Sequence, residues 1–234
     1  NASHEIRTPL ATLSGFIETL RGPAKEDAEA RERFLAIMAQ HAERMTRLVE
    51  DLLSLSRIEM NEHTTPTDTV DLAPLLANVT ANLGWRAEER SVTVTSDIAT
   101  GLPPLQGDTG ELTQLFQNLV DNAIKYGREN GAVRIRAWRD GRDGQDSGDI
   151  LVSIADQGEG IARQHLPRLT ERFYRIDTAR SRELGGTGLG LAIVKHIASR
   201  HRAVLSIESE PGQGSVFSVR FPNISAKPPG SAAP

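Results

Sequence analysis

Apolar positions near the start of the chain recur at Ile6, Leu10, Leu13, Ile17 and Leu20, with spacings alternating between four and three. That rhythm is the seam of a coiled coil. After a short turn at Gly22-Pro23 it resumes at Phe34, Met38, His41, Met45, Leu48, Leu52 and Leu55. Two amphipathic helices on so short a connection predict an antiparallel hairpin over 1–61. One hairpin cannot bury both stripes, so the pattern predicts a homodimeric four-helix bundle. Residues 62–69, with Thr64-Thr65-Pro66-Thr67, read as a linker. Beyond them the periodicity becomes mixed. Helices are predicted at 72–89, with Asp71 as N-cap, at 109–127 and at 188–201. Strands are predicted at 92–96, 132–138, 150–155, 203–209 and 216–221. In this order they predict a two-layer α/β sandwich over 70–222. The polar stretch 139–149 reads as a hairpin loop and the Pro-, Ala- and Ser-rich tail, 223–234, as disordered.

Chemistry enters at Ser3-His4-Glu5-Ile6-Arg7-Thr8-Pro9-Leu10. Running the first seam backward lands on Ser3, so His4 sits beside the seam, partly in solvent. A free imidazole with a pKa near ~6.5 is largely neutral at pH 7 and can attack a phosphorus atom. Glu5 can hold the opposite N–H and stabilise the imidazolium that develops. Thr8, four residues on, brings a hydroxyl to the same helical face. Pro9 leaves the Glu5 carbonyl without a donor and is placed to bend the helix. His41 lies on a seam and reads as a packed core residue. His63, His165, His196 and His201 lack the carboxylate-and-hydroxyl setting of His4.

A second cluster begins at Gln117-Asn118-Leu119-Val120-Asp121-Asn122-Ala123-Ile124-Lys125-Tyr126-Gly127. Asn118, Asn122 and Lys125 share a helical face, which is either an ordinary polar face or a site. Two amide oxygens suit Mg²⁺, which takes phosphate oxygens as further ligands; Lys125 can neutralise a phosphate. Tyr126 offers an aromatic surface. Asp156 leaves a strand-like run, 150–155, where a carboxylate can accept from an exocyclic amine such as that of adenine. Gly158 and Gly160 follow it and permit close backbone approach. Gly185-Gly186-Thr187-Gly188-Leu189-Gly190 opens an apolar helix, and backbone N–H groups at a helix N-terminus bind phosphates. Gly212-Gln213-Gly214-Ser215 leads into the last strand. Each glycine pattern alone marks a turn; the four elements in this order mark a nucleotide site.

Taken together, these segments resemble the catalytic core of a bacterial sensor histidine kinase. The octapeptide resembles its H box, 118–126 the N box, 156–160 the G1 box, Phe173-Tyr174 the F box, 185–190 the G2 box and 212–215 the G3 box. The stretches 13–20 and 166–175 most resemble phosphate-regulon sensor kinases. The resemblance implies a dimeric four-helix bundle followed by a two-layer sandwich of the histidine kinase, gyrase and chaperone type. It implies phosphorylation of His4 by ATP, with Glu5 as acid–base partner and Thr8 orienting water for dephosphorylation of the regulator. Asn122 and Asn118 would hold Mg²⁺, Lys125 would lie near the phosphates, Tyr126 against adenine, and Asp156 on its amine. Gly158, Gly160, Phe173, Arg175, Gly186, Thr187, Gly188, Leu189 and Gly190 complete the implied ATP site. The partner it implies is an aspartate of a response regulator receiver domain. Gly127 stands where the family commonly has a small hydroxyl residue.

Composition narrows the rest. A net charge of −4 argues against a nucleic-acid binder, and no apolar run reaches the ~20 residues that span a bilayer. Zero cysteines exclude disulfides and thiolate metal sites. The chain opens on Asn, three residues before His4, which predicts a cytoplasmic piece of a longer inner-membrane sensor. The segment 161–184 is expected to be a lid over ATP. Its arginines read mostly as a solvated face, with Arg172, Arg175 or Arg180 touching the triphosphate or the hairpin on closure. Thr8, Ala11, Gly15 and Glu18 line the His4 face; a bare Gly15 serves either a docking regulator or packing within the bundle. Two other classes stay open: an ATP-gated machine of the gyrase or chaperone type, and a dimeric scaffold or phosphatase without kinase activity.

Overall fold

The structure is a computed structural model that describes residues 2–140, 148–177 and 186–222, with side chains from Glu5 onward. The predicted hairpin consists of α1 (Ala2–Arg21) and α2 (Ala28–Met60). Phe16 meets Phe34 with ring centroids 5.0 Å apart, and Glu5 meets Arg44 at 3.1 Å, so the helices run antiparallel. α1 continues through Pro9, which is buried. Asp27 caps α2 by accepting from the Ala30 N–H. Leu10, Ile17, Leu35, Val49 and Leu53 remain exposed, Leu10 at 52%. One chain therefore leaves an apolar strip uncovered, which is the surface that the bundle expectation requires.

The remainder runs β1 (Thr69–Val70), α3 (Leu72–Glu89), β2 (Thr93–Ile98), β3 (Leu105–Gln106), α4 (Thr109–Tyr126), β4 (Ala132–Arg139) and β5 (Ile150–Asp156). A 3₁₀ turn, Arg163–Arg168, precedes α5 (Gly190–Arg200), β6 (Val204–Ser209) and β7 (Ser215–Phe221). A five-stranded sheet has the order β2-β4-β5-β7-β6, with β2 parallel to β4 and the other pairs antiparallel. Its inward residues, among them Val133, Ile135, Val152, Phe217 and Val219, bury against Leu115, Phe116 and Leu119 of α4 and Ile193 of α5. The two layers match the expected sandwich. β1 and β3 were not predicted, because a two-residue strand has no period to read.

The boundary between hairpin and sandwich is not a gap in packing. Leu55 and Ile58 of α2 are buried in the sandwich's own core. Leu55 has the spacing of a bundle seam, but a heptad reports which positions are apolar, not which surface they meet. Arg200 of α5 also donates to the carbonyls of Asn61 and Thr64, at 3.1 and 3.0 Å, tying the predicted linker to the sandwich.

Asp71 caps α3, and Asp108 caps α4 by accepting from the Glu111 N–H. The Asp108 N–H in turn donates to Nε2 of His201, whose Nδ1–H faces the Ile197 carbonyl at 2.8 Å. Both ring nitrogens are thus used in the neutral form, and burial pushes the His201 pKa below its ordinary value. A depressed imidazole pKa makes the unfolded chain the stronger proton binder, so stability is lost as pH falls below ~6.5. His196 is shifted the same way, by burial and then by Arg172. The urea midpoint should therefore decline on acidification, and should still decline in a His196→Gln background. A midpoint independent of pH in that background would contradict the role given to His201.

Candidate functional site

A cavity of about 370 Å³ opens between α4, the C-terminal end of β5, the loop before α5, and α2. α4 carries the first wall because Leu112, Leu115, Phe116 and Leu119 bury one face and turn Asn118, Asn122 and Lys125 to the other. Lys125 ion-pairs with Asp121 one turn earlier, and Asp121 also holds Arg86 of α3. Tyr126, at 39% exposure, lines the mouth.

Asp156 ends β5 and is 9% exposed. Burial raises its pKa, against the opposing backbone N–H groups of Gly158 and Ser215. The Gly158 bond is 2.8 Å. A carboxylate fixed in this way presents its remaining lone pairs to a donor in the cavity. Gly158 itself does not line the cavity: it stands behind Asp156. A methyl group there would strike the Tyr126 carbonyl and lie 2.8 Å from Asp156 Oδ1.

The loop before α5 brings Gly186, Thr187, Gly188 and Gly190 to the cavity. α5 has no side-chain N-cap, unlike α2, α3 and α4, which are each capped by an aspartate. Its first N–H groups and helix dipole are therefore available to an anion. Gly188 has φ +75°, and a methyl group on it would lie 3.0 Å from Phe173 Cα. That closeness is used, since the Phe173 N–H donates to the Gly188 carbonyl at 2.8 Å. Phe173 packs on the core and Leu189 is fully buried, so both shape the wall from behind. Gly160 lines the cavity directly.

Arg175 is 4% exposed and bridges two places. It donates to the Thr187 carbonyl at 2.6 Å and to Glu5 of α1 at 3.0 Å. Glu5 accepts from Arg44 as well. Among the lid arginines, Arg175 thus meets the hairpin as expected, and Arg172 reaches Glu59 of α2. Arg168 instead pairs with Glu171 and stacks on Tyr174. Arg180, Gly185 and the His4 side chain lie outside the described residues. The His4 backbone is in the first turns of α1, and Thr8 is exposed one turn on.

Sequence reasoning missed the wall built by α2: Arg47, Glu50 and Asp51 all line the cavity. Thr187 Oγ1 donates to Asp51 Oδ2 at 2.6 Å, and burial raises the Asp51 pKa. The available signal was the helical spacing of Arg44, Arg47, Asp51 and Ser54, which in a sequence reads as a solvated face.

Residues 107–224 match the family described as histidine kinase-, DNA gyrase B-, and HSP90-like ATPase, and residues 1–61 match the His Kinase A (phospho-acceptor) domain. The chain belongs to the sensor histidine kinases, in which a phosphoacceptor hairpin is joined to an ATPase domain of this type. It is 42% identical over 221 residues to the phosphate regulon sensor protein PhoR of Pseudomonas aeruginosa, covering 94% of this chain and 48% of that protein. The chain thus spans about half the length of this curated relative. Full-length ShkA in complex with AMPPNP superposes with a TM-score of 0.68 at 30% identity, covering 94% of this chain and 44% of ShkA. The histidine kinase ThkA in complex with response regulator TrrA shares the fold, with a TM-score of 0.70 at 21% identity over 94% of this chain and 59% of that one. The ATPase match implies that this domain binds ATP, and the phospho-acceptor match separates the chain from gyrase and chaperone machines. Among the described residues, no helix is long and apolar enough to cross a membrane.

Gly158→Ala should displace Asp156 and weaken ATP binding about tenfold or more, ~1.4 kcal/mol. Calorimetric titration checks this; unchanged affinity would remove Asp156 from the binding determinants.

Proposed function

We propose that ATP bound in this cavity phosphorylates His4, and that the phosphoryl group then passes to an aspartate of a response regulator. The observation that carries the reading is the single connected path from the loop before α5, through Thr187 and Arg175, to Glu5 beside His4. In the transfer, a ring nitrogen of His4 bonds to the γ-phosphorus while the bond to the bridging oxygen breaks and ADP leaves. Glu5 holds the imidazole proton, and Arg44 and Arg175 hold Glu5 in place. Asp156 reads the adenine amine, Tyr126 lies against the ring, and the uncapped N-terminus of α5 with Gly186, Gly188 and Gly190 takes the phosphates. Positioning and charge neutralisation supply most of the catalysis in reactions of this type.

The donor set fits Mg²⁺. Asn118 and Asn122 offer amide oxygens one turn apart, and a methyl group on Gly190 would lie 3.2 Å from Asn118 Oδ1. The described residues contain no cluster of three His, Cys, Asp or Glu that would cage a metal without phosphate oxygens. Held by Asn122 and Asn118, Mg²⁺ would offset the charge of the triphosphate.

Two copies of the hairpin, each covering the strip of Leu10, Ile17 and Leu53 on the other, make the dimer. We assign 1–61 to dimerisation and phosphotransfer, 62–69 to the linker and 70–222 to ATP binding. The likeness to PhoR extends the reading to a phosphate response, in an inner-membrane sensor of which this is the cytoplasmic part. Thr8 adds dephosphorylation of the regulator by water. A second reading, a dimeric scaffold or phosphatase, is favoured by one observation: both guanidinium groups bind the Glu5 oxygen Oε2, which leaves that oxygen unavailable as a base.

Incubation with γ-labelled ATP decides between them. The kinase reading expects acid-labile, base-stable label on wild type, absent in His4→Gln and Asn122→Asp. Bound ATP without label would establish the second reading. Gly15 is exposed, and a methyl group there would meet nothing within 4 Å. Gly15→Leu should accordingly block transfer to the regulator while sparing label on His4; loss of the dimer instead would return Gly15 to bundle packing.

A further inference from the structure

The cavity wall built by the hairpin contains a cation with no hydrogen-bonded acidic partner among the described residues, although its charge reaches Asp51. Arg86 and Lys125 both pair with Asp121, and Arg175 is held by Glu5 and the Thr187 carbonyl. Arg47 differs. Its one ion pair within 4 Å among the described residues is to the exposed Glu43, at 3.9 Å, which is long for a charge-assisted hydrogen bond. Its Nε is buried with no hydrogen-bond partner among the described residues. On the opposite wall, Asn118 Nδ2 is in the same condition. Arg175 Nε is a third such donor on this cavity, although Arg175 Nη2 is engaged by Glu5 and the Thr187 carbonyl. Buried donors normally find acceptors, and three orphans lining one cavity mark where acceptor oxygens are missing.

Glu50 and Asp51 flank Arg47 on the same wall, so the charge is not set in a purely basic patch. Asp51 is turned to Thr187 Oγ1, which draws it toward the loop before α5. A guanidinium with a free Nε–H edge suits a phosphate, which it can grip through two parallel bonds.

We propose that Arg47 is a further substrate-binding residue, supplied by the hairpin, that contacts the terminal phosphate of ATP when the sandwich is docked as seen here. This rests on the ATP reading above. The group to be transferred must leave toward α1, so it is the part of the nucleotide presented to the hairpin wall. The adenine end is read by Asp156 and lies on the sandwich side. Arg47 therefore separates triphosphate from diphosphate, a distinction that the sandwich residues alone do not make. After transfer the contact is lost, which weakens the hold on ADP and frees the sandwich to undock.

The test measures AMPPNP and ADP affinities, each with Mg²⁺, on the whole core by calorimetry, for wild type, Arg47→Gln, Arg47→Lys and Glu43→Gln. Arg47→Gln should weaken AMPPNP about tenfold, ~1.4 kcal/mol, and leave ADP unchanged. Arg47→Lys should recover part of the loss, and Glu43→Gln should match wild type. Equal losses for both nucleotides, no loss at all, or the same loss in Glu43→Gln would overturn the assignment. A wild type that binds both nucleotides alike would also overturn it while leaving the ATP site standing. A wild type that binds neither would remove the ATP reading itself.

Discussion

The burial of the end of α2 in the core of the sandwich is the constraint on which the rest depends. Leu55 and Ile58 are each 2% exposed and share a core with α4 and α5. Burial of such side chains contributes roughly 1.5–3 kcal/mol each. That anchorage fixes the face of α2 that meets the cavity, places Asp51 on Thr187, and brings Arg175 to Glu5. Without it the hairpin and the sandwich would be two modules on a string, and Glu5 would have no link to the loop before α5.

The same arrangement shows how charges of both signs coexist around one cavity. Asp121 quiets two cations, Arg86 and Lys125, that would otherwise repel each other across α3 and α4. Glu5 does the same for Arg44 and Arg175. Asp51 and Asp156, which have no cationic hydrogen-bond partner among the described residues, carry carboxyl pKa values raised by burial. Each bonds instead to hydroxyl or backbone donors of the loops that line the cavity. Asp121 and Glu5 each offset only one of the two cations they hold, so the remaining charge, Arg47 and the uncapped N-terminus of α5 are sources of positive potential at the cavity.

Much of this was legible in the chain. The helix predicted at 72–89 is the one found, and α4 and the strands β4 to β7 fall within about two residues of expectation. Strong periodicity, with the Asp71 cap for α3, accounts for that success. Asn118, Asn122 and Lys125 of α4, Asp156, and Gly186, Gly188 and Gly190 of the loop before α5 line one cavity. What stayed hidden has one physical cause: periodicity describes a single element and says nothing of what it packs against. Leu55 has seam spacing yet serves the sandwich, and Arg47 and Asp51 look like solvated helix surface until α4 and the loop close over them. Gly158 and Phe173, which the family resemblance puts in the ATP site, stand one layer behind residues that line the cavity.

Arg200 holds the carbonyls of Asn61 and Thr64, and Leu55 and Ile58 travel with the sandwich. Any rotation of the ATP-binding layer that preserves these contacts carries the last turns of α2 along as a rigid handle. The pivot then falls upstream of Leu55, within continuous helix, and not in the residues that look like a hinge. A pivot of this kind is an elastic beam: bending it strains a run of helical hydrogen bonds and creates a restoring torque. The travel of the sandwich would have a preferred resting angle, and its return stroke would be driven by the helix itself.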